Sequence, residues 1–388
     1  TGLKVNLLFY LGWISMGSTM NTLSFCFPAS PADLTAGQLT ELVTAVYPGT
    51  VVQSFEVIKA SSFGEGMVST ADRALLMLHY ATNPANLPQQ TMLKLQRDIG
   101  PIIKSIYINE TRFYLQLSRE CGITTPQVLG GGYDTDSGAY GLLLEDLSLQ
   151  GATFPNVTNN PDPVAHVSAV IEQLATLHAR FWQSQRFAAD LAWVETHLQG
   201  PVSELLAMSM PIVCGEELKL AAFKRDTIAS VGMTLQELIA GTLALQQHQA
   251  TLPQTFVHGD THLGNTYGLP GGRAGLIDWQ LCVRGYGIHD VSYIINTGLP
   301  VAERRQHERA LLQQYRDSLQ RHGVSDVPSL EMLWQEHARA VIWQLYVGWL
   351  GVSHVNYGWE ILTTNMQRVA TAWRDLDTGK HIRELMEK

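Results

Sequence analysis

Apolar residues recur at helical spacing in "SPADLTAGQLTELVTAVYP" (30–48), where Leu39, Leu42, Val43 and Val46 share one face and predict a capped amphipathic helix. "TVVQSFEVIKAS" (50–61) is β-branched and apolar and predicts a strand; "RALLMLHYA" and "QTMLKLQ" predict two more. "SIYINETRFYLQLSREC" returns to helical spacing, with Ile106, Phe113, Tyr114 and Leu117 apolar. "QVLGGGYDTDSGAYGLLLEDLS" predicts a hairpin whose second strand is "AYGLLLEDL". The polar, turn-rich run "SLQGATFPNVTNNPDP" (148–163) marks a boundary. Beyond it, "PVAHVSAVIEQLATLHARFWQ" is strongly helical, and further helices are expected around 216–249, 301–321, 329–350 and 359–386. Inside this helical part, "VHGDTHLGNTYGLPGGRAGLIDWQ" (257–280) is the one convincing strand pair.

The pattern predicts an α+β chain: a small antiparallel-sheet lobe over 30–147, then a larger helical lobe over 148–388 that carries the 257–280 loop. Residues 5–27, "VNLLFYLGWISMGSTMNTLSFCF", hold no charge and reach the length of a membrane span or signal segment. Gly12, Ser15, Gly17, Ser18, Thr19, Asn21, Thr22 and Ser24 dilute that signal, and Met20 is a plausible start. The expectation is an apolar extension over 1–29 rather than a membrane anchor.

Composition narrows the function classes. The 388 residues are 45% hydrophobic and 16% charged, with a formal net charge of −9. That balance argues against nucleic acid as a partner, because a phosphate backbone needs a basic face. It leaves a nucleotide open, since a few local cations and a metal ion suffice. Cys26, Cys121, Cys214 and Cys282 are far apart and form no CxxC, which fits a reducing, cytoplasmic setting.

The 257–280 stretch admits two chemistries. His258, Asp260 and His262 alternate, so an extended segment would aim them to one side as ligands of a hydrolytic Zn or Mn. Other histidines, such as His289 and His354, lack metal-type spacing. Phosphoryl transfer instead needs an acceptor for a hydroxyl proton and hard oxygen ligands for Mg²⁺ beside the β- and γ-phosphates of ATP. Asp260 serves the first need, and Asn265, five residues later, serves the second. Asp278, past the Gly-Gly turn, adds another metal ligand. This reading makes demands upstream. Gly64 and Gly66 in "SSFGEGMVST" let backbone amides approach phosphate, and Ser69 lies in the same loop. Lys94 is a lone cation in an apolar strand, and Glu110 on the next predicted helix is its partner. Each has a plainer alternative, a hairpin turn for the glycines and an edge strand facing solvent for Lys94. A catalytically silent nucleotide-binding module remains a third reading.

"VHGDTHLGNTY" with "LIDWQ" resembles the aminoglycoside phosphotransferase and choline kinase superfamily, which has a bilobal protein-kinase-like fold. "FGEGMVSTADR", "NETRFY", "LLLEDL" and "ATLHARFW" bring it nearest to the ecdysteroid-kinase-like (CHK kinase-like) group, over roughly residues 35–375. The resemblance implies an ATP- and Mg²⁺-dependent kinase of a small-molecule alcohol. It implies Asp260 as catalytic base, Asn265 and Asp278 as metal ligands, Lys94 and Glu110 as the phosphate-anchoring pair, and backbone groups around Glu145 and Leu147 as adenine contacts. Trp279 and Gln280 stand where protein kinases have Phe-Gly, so no activation-loop switch is implied. Around this set, His258 is expected to brace the loop, and His262 either to approach substrate or to pack. Asp290 is expected to cap a helix or bond the loop backbone, and His178 to be a satisfied core histidine. Trp343, Tyr346, Trp349, Tyr357 and Trp359 either line an acceptor pocket or pack the helical core.

Overall fold

The computed structural model describes residues 31–61, 71–96, 104–134 and 138–387. The amphipathic helix is α1 (Ala36–Thr44). It starts where Thr35 accepts from the Gln38 amide and the Gln38 side chain returns the bond to the Thr35 N–H, a capping box that satisfies two orphan donors. Strands β1 (Val51–Ser61), β2 (Ala71–Thr82), β3 (Gln90–Gln96), β4 (Val128–Tyr133) and β5 (Tyr140–Glu145) form one antiparallel sheet in the order β1-β2-β3-β5-β4. Lys94 therefore sits on an interior strand, and the edge-strand alternative fails.

One face of the sheet buries Leu76, Leu78, Leu93, Leu129 and Leu143 against Leu39, Leu42 and Val43 of α1. Gly130 permits that approach: a Cβ there would stand 2.7 Å from the Leu42 carbonyl oxygen. The other face carries α2 (Lys104–Arg112), which the sequence pattern extends to Cys121. The α-helix gives way after Arg112 to a π-helical turn, Phe113–Leu117. That turn swings Phe113 into a core shared with the helical part, where it joins Ile171, Leu174, Phe256 and Trp279.

The helical part comprises α3 (Pro163–Arg180), α4 (Pro201–Leu220), α5 (Ala222–Val231), α6 (Leu235–Gln249), α7 (Ile288–Gly298), α8 (Val301–Arg321), α9 (Leu330–Trp343), α10 (His354–Asp375) and α11 (Thr378–Met386). Helix α4 begins fifteen residues earlier than expected. It buries only Val202 and Cys214 and carries Pro211 inside, so it shows no apolar stripe to read. The expected 359–386 helix is two helices, divided at Asp377, which adopts φ 50°. Two short ribbons interrupt the helices: β7 (Thr266–Leu269) with β8 (Arg273–Leu276), as expected, and β6 (Thr255–Val257) with β9 (Val283–Gly285), which was not. Gly271 and Gly272 turn the first ribbon at positive φ. Among the described residues no single helix is long and apolar enough to cross a membrane; α5 and α6 pass together by length and composition but meet at a 60° bend. The apolar extension lies outside the described residues.

Candidate active site

The segment between β6 and β7 is held from behind by one carboxylate. Asp290, in the first turn of α7 and fully buried, accepts from the backbone N–H of His258 (2.6 Å) and Gly259 (2.9 Å). His178 donates to the same carboxylate from Nε2 (3.2 Å), and its Nδ1 is bonded to the Tyr315 hydroxyl (2.8 Å). Thr261 Oγ1 donates to the Asp290 carbonyl (2.7 Å). Burial works to raise the Asp290 pKa; the His178 hydrogen bond and the nearby His178, His289 and His258 outweigh it and hold the carboxyl at about 2. Asp290 and His178 thus occupy the structural places expected of them. Gly259 is obligatory here, because at φ 86° a Cβ would lie 2.0 Å from the Leu281 carbonyl oxygen.

The two loop histidines face their own backbone. His258 Nε2 donates to the Ile277 carbonyl (2.9 Å), and its Nδ1 accepts from the Asp260 N–H (3.2 Å). His262 Nδ1 accepts from the Gly264 N–H (3.1 Å), which leaves Nε2 pointing toward Asp260 Oδ2 at 3.7 Å. Among the described residues no group of three His, Cys, Asp or Glu side chains is placed to hold a metal ion. The hydrolase arrangement of His258, Asp260 and His262 does not form.

Asn265 is oriented by Asp260. Its Nδ2 donates to the Asp260 carbonyl (2.8 Å) and to Asp260 Oδ2 (3.0 Å), so its amide oxygen faces away from that loop. The β7–β8 ribbon then returns the chain. Ile277 N–H donates to the Asn265 carbonyl (3.0 Å), and Asp278 adopts φ 66°, a conformation Asp tolerates better than most residues.

Asp278 is where the two parts of the chain meet. Lys94 Nζ lies 2.6 Å from Glu110 Oε2 and 3.5 Å from Asp278 Oδ2, and Arg73 reaches the same Asp278 oxygen at 3.9 Å. Lys94 and Glu110 are almost fully buried, whereas the Asp278 side chain keeps 23% of its surface open. Burial pushes the Glu110 carboxyl up, and Lys94 offsets only part of that. Burial also works to raise Asp278, but Lys94, then Arg73 and His258, outweigh it and hold the carboxyl below the usual range. Phe113 stacks on Trp279 with ring centroids 3.6 Å apart, so the turn that ends α2 is fastened to the residue after Asp278. An aromatic stack of this kind adds about 1 kcal/mol beyond its burial.

Arg73 and Tyr293 were not anticipated. Arg73 had a legible signal: it is the cation of "RALLMLHYA" and pairs in register with Lys94, so both side chains emerge on one face. Tyr293 had none, being one apolar residue of α7 until the fold sets it beside Asp260; burial and then the Asp260 charge push its phenol well up. The aromatic group divides. Trp349 and Tyr357 lie 5.6 and 5.7 Å from the His262 ring, Trp343 and Tyr346 line a separate cavity, and Trp359 stacks on His354. Glu145 ends β5 with its N–H bonded to the Gln127 carbonyl (2.9 Å) and its carboxylate to the Gln127 N–H (2.7 Å). Leu147 packs with Tyr267 and Leu269 beneath this crossing point. Gly64, Gly66 and Ser69 lie outside the described residues.

Solved structures similar to this chain include the choline kinase LicA from Streptococcus pneumoniae, 15% identical, with TM-score 0.44 over 82% of this chain and 95% of that one. An ethanolamine kinase from Plasmodium vivax is 13% identical, with TM-score 0.47 over 83% of each chain. The macrolide 2'-phosphotransferase MphH from Brachybacterium faecium is 16% identical, with TM-score 0.42 over 84% and 94%. No curated protein matches the chain. Residues 107–324, more than half of the chain and all of the site from Glu110 to Asp290, match the model of the phosphotransferase enzyme family, APH. The chain belongs to the phosphotransferase enzyme family.

Proposed function

We propose that the chain transfers the γ-phosphoryl group of ATP to a hydroxyl of a small molecule, with Asp260 as the proton acceptor. The observation that carries the reading is the convergence of Lys94, Glu110 and Asp278, residues far apart in sequence, within 3.5 Å of one another through Lys94, beside the Asp260–Asn265 pair. A buried ammonium paired with one carboxylate and shared with a second suits the anchoring of a polyphosphate. Asp260 is oriented by Asn265 and His262, and its side chain is 26% exposed, open to an incoming hydroxyl. In this role it takes up the hydroxyl proton as the oxygen attacks, and the tethered loop supplies positioning.

The residues fit Mg²⁺. Asn265 turns its amide oxygen away from Asp260, and Asp278 offers an ionised carboxylate, both hard oxygen donors. These two would hold the ion, which when bound neutralises charge on the β- and γ-phosphates. Glu145 has committed its N–H to Gln127 and the Leu147 carbonyl accepts from the Ala152 N–H (3.2 Å), which leaves the Glu145 carbonyl and the Leu147 N–H for an adenine. Within the family we assign the chain to the ecdysteroid-kinase-like group, on "NETRFY", "LLLEDL" and "ATLHARFW".

Thermal unfolding with and without ATP and Mg²⁺ tests this, because ligand that binds the native state raises the midpoint. The wild type should need both for a shift, Asp278→Ala should lose it, and Asp260→Ala should keep it while losing phosphoryl transfer. An unchanged shift in Asp278→Ala would remove that residue as a metal ligand.

A further inference from the structure

A cavity of about 450 Å³ opens against α2. Ser105, Ile108, Asn109 and Arg112 supply one wall, the i, i+3, i+4, i+7 spacing of a single helix face. Glu110 falls on the opposite face, turned to Lys94, and neither Lys94, Asp260 nor Asp278 lines the cavity. The other wall is β9 with the chain from Phe187 to Pro201, which the Arg284 N–H fastens by donating to the Glu195 carbonyl (2.7 Å). The space is therefore separate from the phosphate-side cluster, although α2 serves both.

Each wall presents a guanidinium. Arg112 Cζ lies 5.7 Å from the centroid of Trp193 and Arg284 Cζ 5.7 Å from that of Phe187, and both rings line the same cavity. Stacking of this kind seats a guanidinium and leaves its edges free to donate. Arg112 Nε donates to the Tyr133 hydroxyl (2.9 Å), and Arg284 Nε is sealed in. The terminal nitrogens of both carry no hydrogen bond or ion pair among the described residues, and they stay open to solvent. The chain has a net charge of −9, yet no carboxylate answers them. Glu195, the acid among the lining residues, turns its Oε2 to the Val202 N–H (2.8 Å) at the start of α4. Two open guanidiniums thus face one committed carboxylate.

A planar guanidinium matches the paired oxygens of a carboxylate or phosphate, and a hydrogen bond to it is charge-assisted. Ile108 and Val194 add apolar surface to the same walls. The volume lies in the range of small-molecule sites, about 300–1,000 Å³.

We propose that this cavity binds a small organic anion, its carboxylate or phosphate held between Arg112 and Arg284 and its apolar body against Ile108 and Val194. The ligand bridges α2 to β9. The site does not rest on the phosphotransferase reading.

The test is calorimetric titration of the full chain with 2-naphthoate and 2-naphthyl phosphate, with 2-naphthol as the uncharged control. A cavity of roughly 150 Å³ holds benzene, so two fused rings fit here. The wild type should bind at least one of the anions, and 2-naphthol at least about tenfold more weakly. Arg284→Ala and Arg112→Gln should each weaken the anion about tenfold or more, the loss of a charge-assisted hydrogen bond. Ala192→Trp, at an exposed lining position, should block binding with both arginines in place, which separates lost contact from lost fold. Lys94→Met should bind the anion as the wild type does. No binding by the wild type at millimolar anion, equal affinity for 2-naphthol, or unchanged affinity in Ala192→Trp overturns the site. Unchanged affinity in either arginine variant overturns the hold between the two. Loss of binding in Lys94→Met places the anion in the phosphate-side cluster and overturns the site as well. The midpoint rise with ATP and Mg²⁺, measured in parallel, reports the nucleotide site separately, so the two readings fail independently. The tighter of the two anions identifies the acid group.

Discussion

Asp290→Asn removes a fully buried charge that holds the loop carrying Asp260 from behind, and it should unsettle that loop. In the wild type, Oδ2 accepts from the His258 N–H at 2.6 Å and from His178 Nε2 at 3.2 Å, and Oδ1 accepts from the Gly259 N–H at 2.9 Å. The asparagine oxygen can keep the Gly259 bond, but its NH₂ would face two donors and satisfy neither. A hydrogen bond to a charged group contributes about 1.5–3 kcal/mol, so losing two at a fully buried site should cost about 3–5 kcal/mol. With Asp260 as the proposed proton acceptor, its displacement should add a kinetic loss, since a shift of about 1 Å at a reacting group can cost ~100-fold. Urea unfolding at pH 7 measures the first quantity. Acid titration supplies an independent check. The folded Asp290 pKa of about 2 lies below its unfolded value of 3.8, so its contribution is complete above the unfolded value and is lost as pH falls through the folded one. That difference corresponds to about 2 kcal/mol. The gap between wild type and variant should therefore narrow by that amount between pH 4 and pH 2. A loss under about 1 kcal/mol at pH 7, or a gap constant with pH, would refute the role given to Asp290.

Lys94→Met should abolish the midpoint rise with ATP and Mg²⁺ and leave Glu110 buried without its cation. Its carboxyl, already raised by burial, should then keep its proton when folded, so stability should fall, relative to wild type, as pH rises above about 4.3; parallel pH profiles would count against the buried pair. Gly130→Ala should destabilise by about 1–3 kcal/mol, because its Cβ meets the backbone of Leu42 rather than a movable side chain. An unchanged urea midpoint would show that α1 and β4 are not held so closely. Phe113→Leu, which removes the stack on Trp279, should weaken MgATP binding more than it lowers stability if that contact positions α2 against Asp278; the two losses scaling together would make it ordinary packing.

Much of the site was legible because its residues follow one another in a short chain segment. Asp260 and Asn265 are five apart, and the Gly271–Gly272 turn brings Asp278 back, so local chemistry and turn preference sufficed to propose them together. The strands of the sheet and helices α3 and α8 announced themselves through alternation or an apolar stripe. Helix α4 did not, since a mostly exposed helix leaves no periodic imprint. The π-helical turn after Arg112 was equally silent, because its spacing is still helical to the eye.

What the sequence determined by itself, then, was the order of elements and the residue types able to perform phosphoryl transfer, since propensity, turn chemistry and spacing act over a few residues. Tertiary structure alone decided which of them meet. Lys94 meets Asp278 across 184 positions of sequence, Arg73 is recruited by register to the same carboxylate, and Asp290 binds a loop 32 residues behind it. The histidines of "HGDTH" were diverted from metal binding by the same means. Each found a backbone partner once the loop closed, and a buried polar group takes whichever partner the folded chain places within reach.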